Sequence, residues 1–175
     1  HELQVVNILL YEAALVHSKD NVINLFNSMD VRVDNPYEII TSHIFPNHVS
    51  DSWITSDQKA LIGHIRYIKD KYNDYIKYAE TKGVSEESAI KKLKDNLWIG
   101  TKHNSSGSWT FDKIQNLYFS KEYKHIFCID SLLEESLDSK KVISHEYLAK
   151  KSNTPEIEAE SWRLFLIKIG IRVSP

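Results

Sequence analysis

The chain has 175 residues with four prolines, five glycines and one cysteine, and its formal charge at pH 7 is −2. This length and an apolar fraction of 42% suit one globular domain or two small ones. The near-neutral charge gives no electrostatic reason to expect a nucleic-acid or membrane partner. The lone Cys128 excludes an internal disulfide, so we expect a cytoplasmic protein.

Residues 1–50 are predicted to form an N-terminal helical segment, either part of the same fold unit or the end of a preceding domain, and residues 51–175 a helical module with a β-hairpin insert. Apolar residues at helical spacing predict a helix near the start of the chain. A second helix is predicted where Asn35 can cap the N-terminus and Pro36 can occupy the first turn. We expect this helix to end before Pro46.

A long amphipathic helix is predicted from about residue 56 to the glycine at position 83. Its apolar residues recur at spacings of four and three, which places them on one face. These residues are Leu61, Ile65, Ile68, Tyr72, Tyr75 and Ala79. Gly83 is suited to the left-handed position that ends a helix, and Ser85 can cap the next helix, "EESAIKKLKDN".

Residues 97–119 interrupt the helical pattern. "LWIGT" and "WTF" favour strands on either side of a polar Gly-Ser turn, and "LYF" can add a third short strand. We therefore predict a mainly α fold, a helical domain with one small β-hairpin or three-stranded insert around residues 97–119. Trp98 and Trp109 are expected to anchor this insert on the helices, or alternatively to line a binding cleft.

The last predicted helix begins at Pro155, with Thr154 as its cap, and ends at Gly170. Glutamates load its first turns, where negative charge is favourable. Its predicted buried residues follow helical spacing. They are Trp162, Phe165, Leu166 and Ile169.

The eight histidines do not form a metal-binding motif such as HExxH, and no CxxC is present. We therefore predict no metal site, and we expect the histidines to lie at the surface or to be hydrogen-bonded in the core. Cys128 lies in the apolar context "HIFCIDS", which indicates an inert buried thiol rather than a nucleophile. No phosphate-binding glycine loop is present in the sequence, so no catalytic residue is predicted.

Basic and aromatic residues alternate in "IRYIKDKYNDYIKY", a pattern that can bind single-stranded nucleic acid. Amphipathic packing with exposed lysines also explains it, because two of the tyrosines belong to the apolar stripe. The nucleic-acid hypothesis requires the basic residues to share a face. They are Arg66, Lys69, Lys71, Lys77, Lys91, Lys92 and Lys94.

The order of motifs in the second half resembles a known family. "AIKKLKDNLWIGTK" is followed by "SWTF" and "NLYFSKEY", and later by "SHEYL" and "ESWRLFLIKIGI". This resembles the segments beside histidine-kinase-like (GHKL-type, Hsp90-type) ATPase domains in sacsin-like and NO VEIN-like proteins. The resemblance covers residues 89–102, 109–123 and 161–171, whereas residues 1–50 have no counterpart. Two departures are the Ser-rich turn after Lys102 and the missing proline after Trp109.

The resemblance implies a non-catalytic scaffold or coupling module of a large multidomain ATPase, with a chaperone-like or anti-phage-defence role. Because the chain starts at His1 and ends at "IRVSP", we expect a piece of such a protein. ATP and magnesium would then belong to the parent protein, and the partners would be the rest of its own polypeptide or another protein. The module's binding residues would be Trp98, Trp109, Arg66, Lys69, Lys91 and Lys92.

Two alternatives stay open at this point. The first is a nucleic-acid-binding module of a restriction or defence protein, which predicts salt-dependent binding. The second is a hydrolase or nuclease whose site forms only in the fold. That site would bring together residues such as His103, Asp112 and Glu122 in a cleft with shifted pKa values.

Overall fold

The computed structural model describes residues 35–49, 58–101, 110–125, 142–148 and 155–173. The backbone separates into two compact units, His1–Asn35 and Pro36–Pro175. The sequence analysis placed a division after residue 50 instead. In the structure, Ile40 and Ile44 lie in the hydrophobic core of the second unit, together with residues from the helices that follow.

The described part of the second unit is mainly α-helical with a small antiparallel sheet, which confirms the predicted fold class. Six α-helices and two strands are described. They are α1 (Pro36–Ile39), α2 (Phe45–Val49), α3 (Gln58–Asp70), α4 (Tyr72–Thr81), α5 (Glu86–Asn96), β1 (Trp98–Gly100), β2 (Phe111–Lys113) and α6 (Pro155–Lys168). No helix among these residues is long and apolar enough to cross a membrane.

The first helical stretch continues past Pro46, so the predicted end before this proline is wrong. A π-helical turn at Ile40–Ile44 joins α1 to α2, and the Phe45 N–H donates to the Ile40 carbonyl, five residues back. The missing N–H of Pro46 therefore falls where the hydrogen-bond pattern of the helix already changes. A proline is tolerated in the first turn of the helix that follows.

The long predicted helix is present as α3 and α4, which meet at Lys71. The Lys71 N–H donates to the Tyr67 carbonyl at 2.9 Å, and the Lys71 carbonyl accepts from Tyr75 at 2.8 Å, so the ladder is continuous. All six residues of the predicted stripe are buried, which confirms it. The stripe faces the core because its period matches that of the helix.

The helix end predicted at Gly83 and the cap predicted at Ser85 are also confirmed. Gly83 has φ of +74°, and the Val84 N–H reaches back to the Ala79 carbonyl at 3.0 Å. This is the 6→1 bond of a Schellman motif, which requires a left-handed residue at the position of the glycine. The Ser85 side chain then accepts from the Ser88 N–H at 3.2 Å and caps α5.

The final helix α6 packs its predicted stripe into the core, since Trp162, Phe165, Leu166 and Ile169 are all buried. Gly170 ends it with φ of +102°. The Ile171 N–H returns to Leu166 at 3.0 Å, and the chain then turns back across the hairpin region. The predicted cap Thr154 lies outside the described residues.

The predicted hairpin is present, with its return strand two residues later than expected. Trp98 pairs with Lys113, Ile99 with Asp112, and Gly100 with Phe111. Ile99 and Gly100 of β1 are buried, whereas Trp98 is half-buried.

The predicted third strand is reduced to single-residue bridges. Tyr118 bridges Val142 on one side and Arg172 on the other, both in parallel orientation. Thr101, directly after β1, bridges Ile143 in antiparallel orientation. The small sheet is thereby extended across chain segments that are far apart in sequence.

Candidate functional site

Two histidines meet between α2, α3 and the start of β1. The His48 ring is fully buried, and its Nε2 lies 3.3 Å from Nδ1 of the half-buried His64. The Trp98 backbone N–H donates to His48 Nδ1 at 3.1 Å. His48 therefore connects α2 to β1, the first strand of the hairpin.

These contacts determine the tautomer of the pair. Because His48 Nδ1 accepts the Trp98 N–H, the proton of the neutral ring must lie on Nε2. His48 Nε2–H then donates to His64 Nδ1, and the proton of a neutral His64 lies on its own Nε2. The order of donation runs from the Trp98 amide through His48 to His64.

Burial keeps His48 uncharged at neutral pH. Loss of solvation is the main cause that lowers the pKa of His48 to about 3, and the nearby charges of His64 and Lys113 lower it further. A buried neutral imidazole with both nitrogens hydrogen-bonded is a structural connector. A pKa this low does not suit a general base at physiological pH, since a base functions best with a pKa near the working pH.

The Trp98 ring is covered by Lys113. The Lys113 Nζ lies 4.8 Å from the centroid of the Trp98 ring and also donates to the Asp95 carbonyl at 2.7 Å. Burial lowers the pKa of Lys113, while the charge of Asp95 raises it. Lys113, the strand partner of Trp98, thus covers the Trp98 ring and is itself bound to the end of α5. Trp109, its predicted companion, lies outside the described residues.

Tyrosine hydroxyls fix the backbone of the hairpin and of the segment at Ser144 that contacts it. Tyr147 Oη accepts the Gly100 N–H at 2.8 Å, and Tyr123 Oη donates to the Ser144 carbonyl at 2.6 Å. Loss of solvation raises the pKa of both tyrosines, so both stay protonated. The sequence analysis did not single out these residues, because nothing in their local context marks which backbone groups they reach.

Backbone hydrogen bonds continue from the hairpin to the last segment. The Ser144 N–H donates to the Gly100 carbonyl at 2.9 Å, and the Ile143 N–H donates to the Tyr118 carbonyl at 3.0 Å. At Leu117, the residue before Tyr118, the carbonyl accepts from the Arg172 N–H at 2.9 Å.

The Arg172 side chain reinforces this last contact. Its Nε donates to the Gln115 carbonyl at 2.6 Å, and a terminal nitrogen donates to Tyr118 Oη at 3.0 Å. We call the series from His48 through Trp98, Gly100, Ser144, Ile143, Tyr118 and Leu117 to Arg172 the hydrogen-bonded path.

Three of the four basic residues predicted to bind a ligand have separate intramolecular contacts. Arg66 donates to the Glu146 carbonyl, and Lys69 lies over the Trp162 ring at 5.1 Å. Lys92 donates to Tyr37 Oη at 3.0 Å. Each of the three therefore contacts a different part of the unit.

Lys91, the fourth, is exposed and lines an open groove along α5. The groove also contains Lys94 and Lys168, but the carboxylates Glu86 and Glu87 lie among them. The lining is consequently mixed in charge. This resembles a solvated surface more than a binding site for a polyanion.

The acidic residues of the hydrolase hypothesis also have structural contacts. Asp112 Oδ1 accepts from the Lys113 N–H at 2.7 Å and from the Asn116 side chain at 2.8 Å, which fixes the turn after β2. Glu122 lies in a separate 3-10 turn at Lys121–Tyr123. His103 and Cys128 lie outside the described residues. Among the described residues, no three His, Cys, Asp or Glu side chains are grouped as a metal site would require.

Comparisons with models of protein families, with curated proteins and with solved structures found no match to this chain.

Proposed function

We propose that the chain is a non-catalytic coupling module of a larger polypeptide, in which it connects a histidine-kinase-like ATPase domain to a partner or to a further domain. The observation that carries this proposal is the hydrogen-bonded path, which links α2 to the segment after α6. A coupling element has to transmit displacement between distant points, and linked hydrogen bonds in a packed core resist independent movement.

The use of polar groups supports the same function. The buried side chains of His48, Tyr123 and Tyr147 each form a hydrogen bond with a backbone group of another segment. These hydrogen bonds hold the segments in register. Their contribution is geometric rather than chemical. The ATPase part of the proposal rests on the sequence resemblance alone, and it assigns ATP and magnesium to the parent protein.

A double-mutant cycle tests the coupling. His48→Ala removes the ring, and with it the acceptor of the Trp98 N–H, at one end of the path, and Arg172→Ala removes the guanidinium at the other end. Each variant and the double variant are compared with the wild type by urea unfolding. For distant sites that are independent, the two losses in stability add to within about 0.5 kcal/mol. We expect an interaction energy larger than this. Strict additivity would argue against a connected path.

The ATPase assignment needs the parent protein. The full-length protein is assayed for ATP hydrolysis, with and without the same two substitutions. We expect hydrolysis in the full-length protein, no hydrolysis by the 175-residue chain, and a rate altered by each substitution with little change in nucleotide affinity. A parent sequence without a histidine-kinase-like domain would contradict the assignment, and so would rates unaffected by both variants.

A further inference from the structure

Both basic nitrogens of the His48–His64 pair are already used as hydrogen-bond acceptors. His48 Nδ1 accepts the Trp98 N–H at 3.1 Å, and His64 Nδ1 accepts the His48 Nε2–H across a distance of 3.3 Å. The other nitrogen of each neutral ring carries the proton of that ring. In the closed pair, the two lone pairs that could take a further proton are therefore occupied.

A proton added to either ring breaks a hydrogen bond. On His48 Nδ1 it would direct an N–H at the Trp98 N–H, and on His64 Nδ1 it would direct an N–H at the His48 Nε2–H. Transfer of the proton between the rings does not remove the conflict. A neutral His48 that accepts from His64 through Nε2 must carry its own proton on Nδ1, which faces Trp98. Each protonated form of the closed pair thus contains two donors directed at each other.

The charged groups on the His48 side also oppose a proton. The His48 ring is fully buried, and Lys113 on β2 places a positive charge near it. The Lys113 Nζ donates to the carbonyl of Asp95 at the end of α5, and the charge of Asp95 acts on this lysine. Lys92 of α5 donates to Tyr37. A proton on His48 would therefore be a buried charge near a lysine, which is unfavourable.

The charged groups on the His64 side are in contact with each other. Arg66, two residues later on α3, donates to the Glu146 carbonyl. In the 3-10 turn that packs against α3, His145 Nε2 lies 3.8 Å from the Glu146 carboxylate. His64 itself is half-buried, so solvent reaches the pair from this side.

We propose that His48 and His64 form a proton-operated latch that fastens α2 to β1 at neutral pH and releases it in mild acid. The closed form binds no additional proton, whereas the open form exposes both rings and binds one proton on each. Because the ordinary pKa of an exposed histidine is about 6.5, each ring shifts the equilibrium toward the open form by up to about tenfold per pH unit below that value. The proposal rests on these hydrogen bonds and not on the proposed coupling function.

Amide hydrogen exchange at Trp98 measures the latch directly, because opening releases this N–H. The protection factor, which corrects for the intrinsic effect of pH on exchange, is compared at pH 7 and pH 5.5 in the whole chain. Uptake of two protons predicts a fall of about 70-fold, and uptake of one proton a fall of about eightfold. The measurement is repeated in dilute urea. We expect little change, because a local opening exposes little surface.

Three variants separate the contributions of the two rings. His64→Asn keeps an acceptor for the His48 Nε2–H but does not titrate, so the fall should be about eightfold. His48→Asn keeps an acceptor for the Trp98 N–H and leaves His64 Nδ1 without its donor, so the protection factor should hardly depend on pH. His43→Asn, at an exposed histidine, is the control and should behave like the wild type. Protected amides in α4 show that each variant is folded.

A fall of eightfold or less in the wild type overturns the proposal, and so does an equal fall in the wild type and His64→Asn. Exchange at Trp98 that accelerates in dilute urea as strongly as exchange in α4 overturns the local opening. These outcomes are separate from those of the coupling function, since that function is tested by the unfolding cycle and by ATP hydrolysis.

The ring nitrogens of the wild type give a second test that needs no variant. Long-range ¹H–¹⁵N correlation spectra show which nitrogen of each ring carries a proton. At pH 6, where a freely exposed histidine is largely charged, we expect His48 and His64 both to be neutral with the proton on Nε2. A proton on His48 Nδ1, or a charged His64 while the Trp98 amide stays protected, overturns the latch.

Discussion

Tyr147 Oη accepts a 2.8 Å hydrogen bond from the backbone N–H of Gly100, a residue 47 positions earlier in the chain. Both groups are buried, so water cannot replace the hydroxyl if it is removed. The 3-10 turn at His145–Tyr147 is thereby connected to β1.

Tyr147→Phe should reduce the free energy of unfolding by about 1–3 kcal/mol, because it leaves the buried Gly100 N–H without a partner. The matched control is Tyr72→Phe. Tyr72 Oη is also buried, but it has no hydrogen-bond partner in the described part of the chain. Its removal should be neutral or slightly stabilising. Urea unfolding measures both, and equal losses would show that the Tyr147 hydrogen bond contributes little.

Gly100→Ala should destabilise the protein by about 1–3 kcal/mol through overpacking. A Cβ at this position would lie 2.9 Å from Cδ1 of Ile62 and 3.3 Å from Tyr147 Oη. Gly63→Ala is the contrasting variant, because nothing lies within 4 Å of a Cβ there and the residue is exposed in α3. We expect it to stabilise the protein by about 0.5–1 kcal/mol. Thermal and urea unfolding measure both variants. A change of stability in the same direction for both would contradict overpacking at Gly100 as the cause.

The stability of the protein should fall as the pH is lowered from 6.5 toward 3. The pKa of His48 is about 3 in the folded state and 6.5 in the unfolded state. Between these values the unfolded chain binds a proton that the folded chain does not, which costs about 1.4 kcal/mol per pH unit. Above pH 6.5 the ring is neutral in both states and contributes no pH dependence.

Urea unfolding at pH 7 and pH 5 measures this effect, and His48 alone should account for a loss of roughly 2 kcal/mol. His48→Asn should remove this part of the pH dependence, since the amide oxygen can still accept the Trp98 N–H but does not titrate. His43→Asn, at an exposed histidine, is the control and should leave it unchanged. A pH dependence that is the same in both variants would mean that His48 is not the group responsible.

Arg172→Ala should open the last segment more than it destabilises the whole unit. The guanidinium donates to the Gln115 carbonyl and to Tyr118 Oη, and both hydrogen bonds are exposed to solvent. We expect a loss of about 1 kcal/mol in global stability. Amide hydrogen exchange at Arg172 and Ile143 should accelerate, whereas exchange in α4 should not. Uniform acceleration would indicate that the segment does not open separately.

The local parts of the fold could be predicted from the sequence. The stripe from Leu61 to Ala79 depends only on the period of one helix, and the stops at Gly83 and Gly170 depend only on backbone freedom at one residue. Such features are readable because their cause lies within a few positions. The turn of Ile40–Ile44 was missed, since a π-helical turn has no comparable sequence pattern.

The contacts that make up the candidate site could not be predicted in the same way. His48 and His64 are 16 positions apart, and they meet because α2 and α3 approach each other near β1. Their roles depend on burial and on the direction of a backbone N–H, which a single sequence does not reveal. The histidines were expected at the surface or hydrogen-bonded in the core, and His48 is buried and hydrogen-bonded, but the sequence did not indicate that it would meet His64.

The position of Arg172 also affects how the protein is made. During synthesis on the ribosome, β1 and Tyr118 emerge well before residues 171–173, so the Leu117 carbonyl lacks its partner Arg172 until those residues follow. A nascent chain at that stage would expose this carbonyl to chaperones or to other nascent chains. We therefore expect the unit to reach its final packing only once residues 171–173 have emerged from the ribosome.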